Sequence, residues 1–408
     1  MKVLVVSQYF WPETFRVNEI VSELSSRGHE VTVLTGRPNY PEGVVHPDYV
    51  AAPERFSTYA GAPVLRLPLR PRGTGNVSLL LNYWSFVFWG CVLGPWLLRG
   101  RRFDAIFVFE TSPITSALPA ILLKWIKRAP LSMWVLDLWP DTLMAVGMVK
   151  SERALRAVGL LCRFIYRHCD LILGQSRAFV EPIRRWSGSA EKFRYFPAWS
   201  EEIFDSAGGD VAPAADLAPH AGRFNILFAG NIGDAQDFPS LLEAARLARH
   251  RPDIRWLIVG DGRAAPQVKA DIERLGLADT VFMLGRHPVE RMPSFFAGAD
   301  ALLVSLKSDP IFAMTIPGKV QSYLAAGKPL LGMLDGEGAR VIEEAGAGRV
   351  APSGDAAALA RQAIALADLP PGERVRMGLE GRRFGEQHFK RATLMSHLEA
   401  WLADPTAS

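Results

Sequence analysis

NILFAGNIGDAQDFPSLLEAARLARHRPDIRWLIVGDG, residues 225–262, decides the fold. An apolar run, NILFAG (225–230), ends on a glycine. A turn follows, a helix begins near Pro239, and a second apolar run, RWLIVG (255–260), leads into Gly-Asp-Gly. Runs that are apolar throughout, without polar alternation, read as strands buried on both faces, as in a parallel sheet. Strand, helix and strand in that order form a βαβ unit.

The rhythm continues outward in both directions. Downstream, TVFMLG (280–285), ALLVSL (301–306), PLLGML (329–334) and GRVA (348–351) are further strands. Upstream, VLVV (3–6), VTVL (31–34), AIFVF (105–109), LSMWVL (131–136) and LILG (171–174) show the same pattern, with a helix over 17–27 that closes on Arg27-Gly28. Residues 205–222, DSAGGDVAPAADLAPHAG, interrupt it with small residues and prolines and read as a linker. The expectation is an α/β protein of two doubly wound parallel-sheet domains. The first spans 1–204 and the second 223–385, joined by 205–222; a last helix within 386–408 is able to pack back on the first. Open parallel sheets bind ligands beyond the carboxyl ends of their strands, so two facing sheets make a cleft with two rims.

Composition narrows the classes. Nearly half of the 408 residues are hydrophobic, which is ordinary for globular domains. Three scattered cysteines, Cys91, Cys162 and Cys169, fit reduced thiols in a cytoplasmic protein. The apolar start of MKVLVVSQYF is too short for a signal peptide. No Asp-x-Asp, HExxH, cysteine cluster or P-loop is present, so no metal, cofactor or nucleic-acid partner is expected. Residues 1–200 hold 24 Lys/Arg against 15 Asp/Glu, whereas 201–408 hold 22 against 27. An anionic membrane or a diphosphate-linked acceptor would suit the basic half; an imbalance on a solvated surface is the plainer alternative.

Chemistry concentrates at strand ends. Gly230, Asn231 and Gly233 follow one strand, and Gly260, Asp261 and Gly262 another, with Asp261 placed to cap the next helix. Either turn suits close backbone approach to a ligand, or a purely structural reversal. The segment SLKSDPIFAMTIPGKVQSYLAAGKPLLG (305–332) carries a stronger signal. Pro317, Gly318 and Lys319 open a helix there, and helix amides beside a lysine suit a diphosphate. Lys319 can also neutralise a departing nucleoside diphosphate, which makes it a catalytic candidate. Lys307, Gln321 and Ser322 complete the candidate donor contacts in this segment. In the first half, Glu110 in FETSP (109–113) and Asp137 in VLDLWPD (135–141) stand past strand ends, where a carboxylate orients or deprotonates a hydroxyl. A helix cap or an ion pair is the alternative for Asp137. Arg16, Tyr40 and Trp139 are candidate acceptor contacts, Trp139 by stacking on a sugar ring.

Residues 76–102, NVSLLLNYWSFVFWGCVLGPWLLRGRR, are the most hydrophobic stretch. The run is about as long as a bilayer span, but Asn82, Ser85, Gly90, Gly94 and Pro95 interrupt it. Its aromatics beside flanking arginines fit a helix lying in a membrane interface, and equally a core helix; a span fits less well.

Taken together, SQYFWPE (7–13), RGHEVTVLTGRPNYPEG (27–43), LDLWPD (136–141), FAGNIGDAQ (228–236), IVGDG (258–262) and IPGKVQSYLAAGKP (316–329) resemble glycosyltransferase family 4, the GT-B-fold group. The resemblance is narrower to the WbuB-like transferases of bacterial O-antigen, capsule and colanic acid synthesis. It implies two Rossmann-like domains facing a cleft and metal-independent transfer with retention. It further implies a UDP-linked amino sugar as donor and an undecaprenyl-diphosphate-linked saccharide as acceptor, on the cytoplasmic membrane face. The family's paired glutamates align with Met314 and Ser322, neither acidic, and Asp309 is the nearest substitute. The usual Arg/Lys pair after the first donor-domain strand is also missing from GNIGDAQ. Two alternatives stay open: a sugar-nucleotide epimerase on the same fold, and a catalytically inactive, membrane-associated binding subunit.

Overall fold

The structure is a computed structural model that describes residues 1–73, 75–145, 151–205 and 211–407. The chain forms two compact units, Met1–Phe196 with Leu394–Ser408, and Pro197–Thr393. The first contains β1 (Lys2–Val6), β2 (Glu30–Gly36), β3 (Thr58–Tyr59), β4 (Ala62–Leu67), β5 (Ala105–Glu110), β6 (Leu131–Val135), β7 (Leu171–Gly174) and β8 (Phe193–Tyr195). Their order across the sheet is β3-β4-β2-β1-β5-β6-β7-β8, parallel except for the β3–β4 pair. The second unit contains β9 (Phe224–Ala229), β10 (Ile254–Val259), β11 (Val281–Gly285), β12 (Ala301–Ser305), β13 (Leu330–Met333) and β14 (Gly348–Ala351), in the order β11-β10-β9-β12-β13-β14 and parallel throughout.

Both sheets grow outward from a central strand, first to one side and then to the other. The order reverses between β1 and β5 in the first unit and between β9 and β12 in the second. Every residue of β5, β6 and β9 is buried, as apolar runs covered on both faces must be.

Several expectations need correction. β3, β4 and β8 were not anticipated. β4 reads APVLRL, and its Arg66 is tolerated because the guanidinium donates to the Gly36 carbonyl at 3.0 Å and to the Trp11 carbonyl. The units divide at Phe196, not within 205–222. Residues 206–210 of the expected linker lie outside the described residues. The remainder is a packed part of the second unit: the Ala214 amide donates to the Ser294 carbonyl at 2.9 Å, and Leu217 is buried against Gly298. The small residues of this segment fit close packing as well as they fit a linker. The expected last helix is Arg391–Ala403; a separate helix, Pro371–His388, precedes it, and between the two Phe389 is buried and its carbonyl accepts the Ser200 amide.

Residues 394–408 belong to the first unit. Glu399 accepts from Arg27 at 3.1 Å and pairs with His29 Nε2 at 2.8 Å, and Trp401 packs edge-on against Phe196. Helix Asn76–Leu97 lies along the first unit with its inner side packed and its outer side open, so it is only in part a core helix. Trp401→Ala is expected to cost about 3 kcal/mol, read as a lower urea midpoint of the first unit. An unchanged midpoint would detach the terminal helix from that unit's stability.

Candidate functional site

In the second unit the crevice predicted by topology lies beyond β9 and β12. The turn after β9 and the turn after β10 interlock. The Gly230 amide donates to the Val259 carbonyl at 2.9 Å, and the Ile232 amide to the Asp261 carbonyl at 2.8 Å. Gly260, at φ +148°, sits so close that a Cβ there would strike the Gly230 carbonyl. Gly230 has φ +134°, whereas Gly233 is extended. Gly230 and Asn231 face solvent, and so does Lys307 past β12.

Helix Gly318–Ala325 seals the end of β9. One turn in, the wholly buried Tyr323 donates its hydroxyl to the Ala229 carbonyl at 3.2 Å and accepts the Ala229 amide at 3.0 Å. Lys319, four residues earlier and on the same face, is thereby carried over Gly230. A Cβ on Gly230 would lie 2.8 Å from Lys319 Cε. The lysine as a whole is partly exposed, but its Nζ is buried, has no hydrogen-bond partner, and sits 3.5 Å from the Phe228 ring centroid. Burial lowers its pKa to about 7. A Cβ on Gly318 would meet nothing, so the space above the helix's first amide is open.

The other donor candidates fall into different roles. Gln321 is buried, and its amide, correctly oriented, donates back to the Pro317 carbonyl at 2.8 Å and the Gly318 carbonyl at 3.1 Å. It braces the helix start from within. Ser322 Oγ donates to the Gly318 carbonyl at 3.2 Å. Asp261 does not cap the following helix; its carboxylate accepts the Gly262 amide at 2.7 Å. Asp309 is no replacement for the family's glutamates, because it caps Pro310–Met314 by accepting the Ile311 amide at 2.8 Å.

In the first unit the order reverses between β1 and β5, and Glu110 ends β5. Glu110 is fully buried; Oε1 accepts the Ser112 amide at 3.0 Å, and Oε2 has no partner. Burial, and then the charge of Asp137, hold its pKa well above the carboxylate range. Burial likewise raises Asp137 to about 6, against a hydrogen bond from Ser112. Two carboxyls in one desolvated place resist losing both protons. Trp139 is a correction: its ring is buried beside Tyr83 and its Nε1 donates to Ser112 Oγ at 2.9 Å. It positions Ser112 rather than offering an open stacking face.

Arg16 opens helix Arg16–Ser26 and pairs with Glu19 at 3.4 Å on the same turn. Tyr40 is 38% exposed in a cluster with Tyr9, Phe15 and Arg72. Sequence reasoning missed Glu13, which accepts the Phe10, Asn39 and Tyr40 amides and ties the 7–16 loop to the segment after β2. It also missed Tyr323, although a tyrosine one turn beyond Lys319 was visible. Asn82 was visible too, as a lone amide in an apolar run. Its Oδ1 accepts Gln8 Nε2 at 2.7 Å and its Nδ2 donates to the Arg70 carbonyl at 2.5 Å. Among the described residues, no three His, Cys, Asp or Glu converge.

Two Rossmann-like sheets in series, with a buried lysine nitrogen at one reversal and buried carboxyls at the other, have the GT-B architecture. Residues 14–199 match the glycosyl transferase 4-like domain and 223–368 the glycosyl transferases group 1 domain, and the chain belongs to glycosyltransferase family 4. It is 27% identical over 342 residues to the colanic acid biosynthesis glycosyl transferase WcaI of Escherichia coli K12, covering 80% of this chain and 82% of that one. It is 24% identical over 391 residues to a 2-deoxystreptamine N-acetyl-D-glucosaminyltransferase of Streptomyces fradiae, covering 89% and 87%. The fold is shared with Anabaena HepE, crystallised with UDP, at a TM-score of 0.70 and 14% identity over 99% of this chain and 100% of that one.

The geometry separates the fold's needs from the ligand's. Gly260→Ala should cost about 2 kcal/mol or more, whereas Gly318→Ala should leave thermal stability unchanged. Lys319→Met should raise Tm by about 2–5 °C near pH 7. The lysine's folded pKa lies below its unfolded one, so the unfolded chain binds more protons between pH 7 and 10.5, and stability rises with pH there. The gain from Lys319→Met should therefore shrink towards pH 10; calorimetry at pH 6.5 and 9.5 checks the sign.

Proposed function

We propose that this glycosyltransferase moves an N-acetylated amino sugar from a UDP-sugar to a lipid-linked saccharide in bacterial surface polysaccharide synthesis. One observation carries the donor half of this reading: a lysine nitrogen buried without a partner, over an open helix start, at the reversal point of the second sheet. An anion there would receive the Lys319 ammonium and the first amides of the helix together. The HepE complex with UDP supports a uridine nucleotide, and the Streptomyces relative supports an N-acetylated amino sugar. WcaI supports a polysaccharide pathway. The basic first unit supports an undecaprenyl-diphosphate-linked acceptor, and with it the reading includes peripheral attachment to the cytoplasmic face of the membrane.

In the proposed transfer the bond from the sugar's C1 to the β-phosphate oxygen breaks, and a bond from C1 to the acceptor oxygen forms on the same face. The acceptor's proton passes to the leaving phosphate, so no separate base and no metal is required. Lys319 stabilises the charge that develops on the diphosphate. Asp137 accepts a hydrogen bond from the acceptor hydroxyl and orients it, while Glu110 keeps its proton and limits the charge at the site. Gly230, Asn231, Gly233, Gly260, Asp261, Gly262 and Lys307 line the donor crevice, with Pro317, Gln321 and Ser322 shaping its helix. Arg16 and Tyr40 stand beside the acceptor loop.

The test is transfer from labelled nucleotide sugars to lipid-linked acceptors, with and without chelator. Label in lipid supports the proposal. Conversion of the donor without acceptor would make the protein an epimerase, and binding without turnover a binding subunit. Lys319→Ala should lower kcat/KM at least about 100-fold without unfolding, and Asp137→Asn should lower kcat more than donor affinity. Because Lys319 loses its proton near pH 7, donor affinity should fall by up to about tenfold per pH unit above it. Binding at pH 8 should take up a proton, visible by calorimetry in two buffers of different ionisation enthalpy. A pH-independent Kd in the wild type would remove the lysine from the diphosphate.

A further inference from the structure

Helix Asn76–Leu97 has two dissimilar sides. Its inner side is fitted to the first unit: Phe86 is wholly buried, Gly90 abuts Pro119, and Asn82 bonds Gln8 and the Arg70 carbonyl. Its outer side carries Leu81, Trp84, Phe88, Val92 and Trp96, spaced three and four apart, with Trp84, Phe88 and Trp96 exposed by 51%, 57% and 66%. Stretch Val77–Leu97 is long and apolar enough to cross a bilayer, yet the inner contacts run along its length.

The exposed apolar surface does not end with this helix. Helix Ala117–Lys127 packs beside it and exposes Trp125 and Ile126. Helix Glu152–His168 follows, exposing Leu160 and Phe164, and His168 bridges the rings of Phe164 and Trp125. These helices follow β4, β5 and β6 in the part of the sheet that grows in one direction, so right-handed connections put all of them on one face. An apolar surface of this kind marks an interaction site.

Charge selects the occupant. Residues 76–102, 117–130 and 152–168 together carry ten Lys/Arg and a single acid, Glu152. Arg99, Arg101, Arg102, Arg128, Arg163 and Arg167 are exposed. Tryptophans set among cations in tenfold excess over acids match an anionic lipid surface, where indoles sit at headgroup level and arginines meet phosphates. An interface between proteins would be expected to hold both signs of charge.

We infer that these three helices form one docking face for an anionic lipid monolayer, with the outer side of Asn76–Leu97 inserted and the other two resting on the headgroups. This deepens the peripheral attachment proposed above and adds a coupling. The same helix that enters the lipid carries Tyr83 inward against Trp139, beside Asp137 and Glu110. The lipid surface and the acceptor-orienting carboxylate are thus two sides of one helix. A membrane-borne acceptor meets the site where it emerges from the bilayer.

Vesicle flotation of the full chain tests this. Wild type should bind vesicles of one-third phosphatidylglycerol in phosphatidylcholine and bind pure phosphatidylcholine weakly. Combined Trp84→Ser, Phe88→Ser and Trp96→Ser should lower the partition coefficient about tenfold or more with Tm unchanged, since these side chains are exposed. Arg99→Glu, Arg101→Glu and Arg102→Glu should abolish the preference for the anionic vesicles. Leu160→Ser with Phe164→Ser should weaken binding severalfold, and brominated phosphatidylglycerol should quench the wild-type tryptophans. Binding that survives the first set, loss of a dimer by the same set with no change in flotation, or release from membranes by detergent alone would each overturn the inference. Transfer to a short water-soluble acceptor should persist in the first set. Flotation without transfer to any acceptor would instead sink the glycosyl-transfer reading and leave the docking face standing.

Discussion

The carbonyl of Gly230 occupies the space that a side chain on Gly260 would need. That single close approach locks the turns after β9 and β10 together, and the crevice of the second unit depends on it. With the turns interlocked, Gly230 leaves room above it, and Lys319 fills that room because Tyr323 pins its helix to both polar groups of Ala229. A buried tyrosine with both functions of its hydroxyl satisfied is a rigid clamp. The lysine it positions is the opposite, a nitrogen with nothing to bond. Around this helix start the satisfied hydrogen bonds fix the geometry, and the lysine nitrogen is left without a partner.

The first unit applies the same physics with the opposite sign. Glu110 and Asp137 are pushed towards their neutral forms by desolvation, as Lys319 is. Each group lies past a strand on or beside the reversal of its sheet. Groups pushed towards their uncharged forms in this way respond strongly to an incoming charge. A hydrogen bond to Asp137 or a phosphate beside Lys319 is worth more there than at an exposed position.

Much of this was legible in sequence, for identifiable reasons. The eleven strands read from apolar runs are all present, because strands covered on both faces leave no polar mark to confuse the pattern. β4 was hidden by Arg66, whose charge is absorbed by carbonyls that only the tertiary structure supplies. β8 has three residues, too few to show a period. The segment 205–222 looked like a linker because small residues suit both flexible and tightly packed chain, and only the neighbours of Leu217 and Ala214 tell the two apart. Lys319 stood out in the sequence because a cation at a helix start contradicts the dipole. Trp139 was misjudged because its indole nitrogen bonds Ser112, a partner past the end of the neighbouring strand β5 and invisible along the chain.

The missing glutamates bear on the same lysine. Ser322 lies three residues beyond Lys319, where side chains on a helix are neighbours. A carboxylate at 322 would stand close enough to favour the charged lysine and to share it with any ligand. Ser322 instead returns its hydroxyl to the Gly318 carbonyl, and Asp309 spends its carboxylate on a helix cap. Burial is consequently the one influence on Lys319, with no neighbouring acid to oppose it. The loss of the acidic pair and the lowered pKa of the lysine are one arrangement. Without an acid on its own helix, the Lys319 ammonium is restored only by an anion that arrives from outside, and under the proposed function that anion is the donor diphosphate.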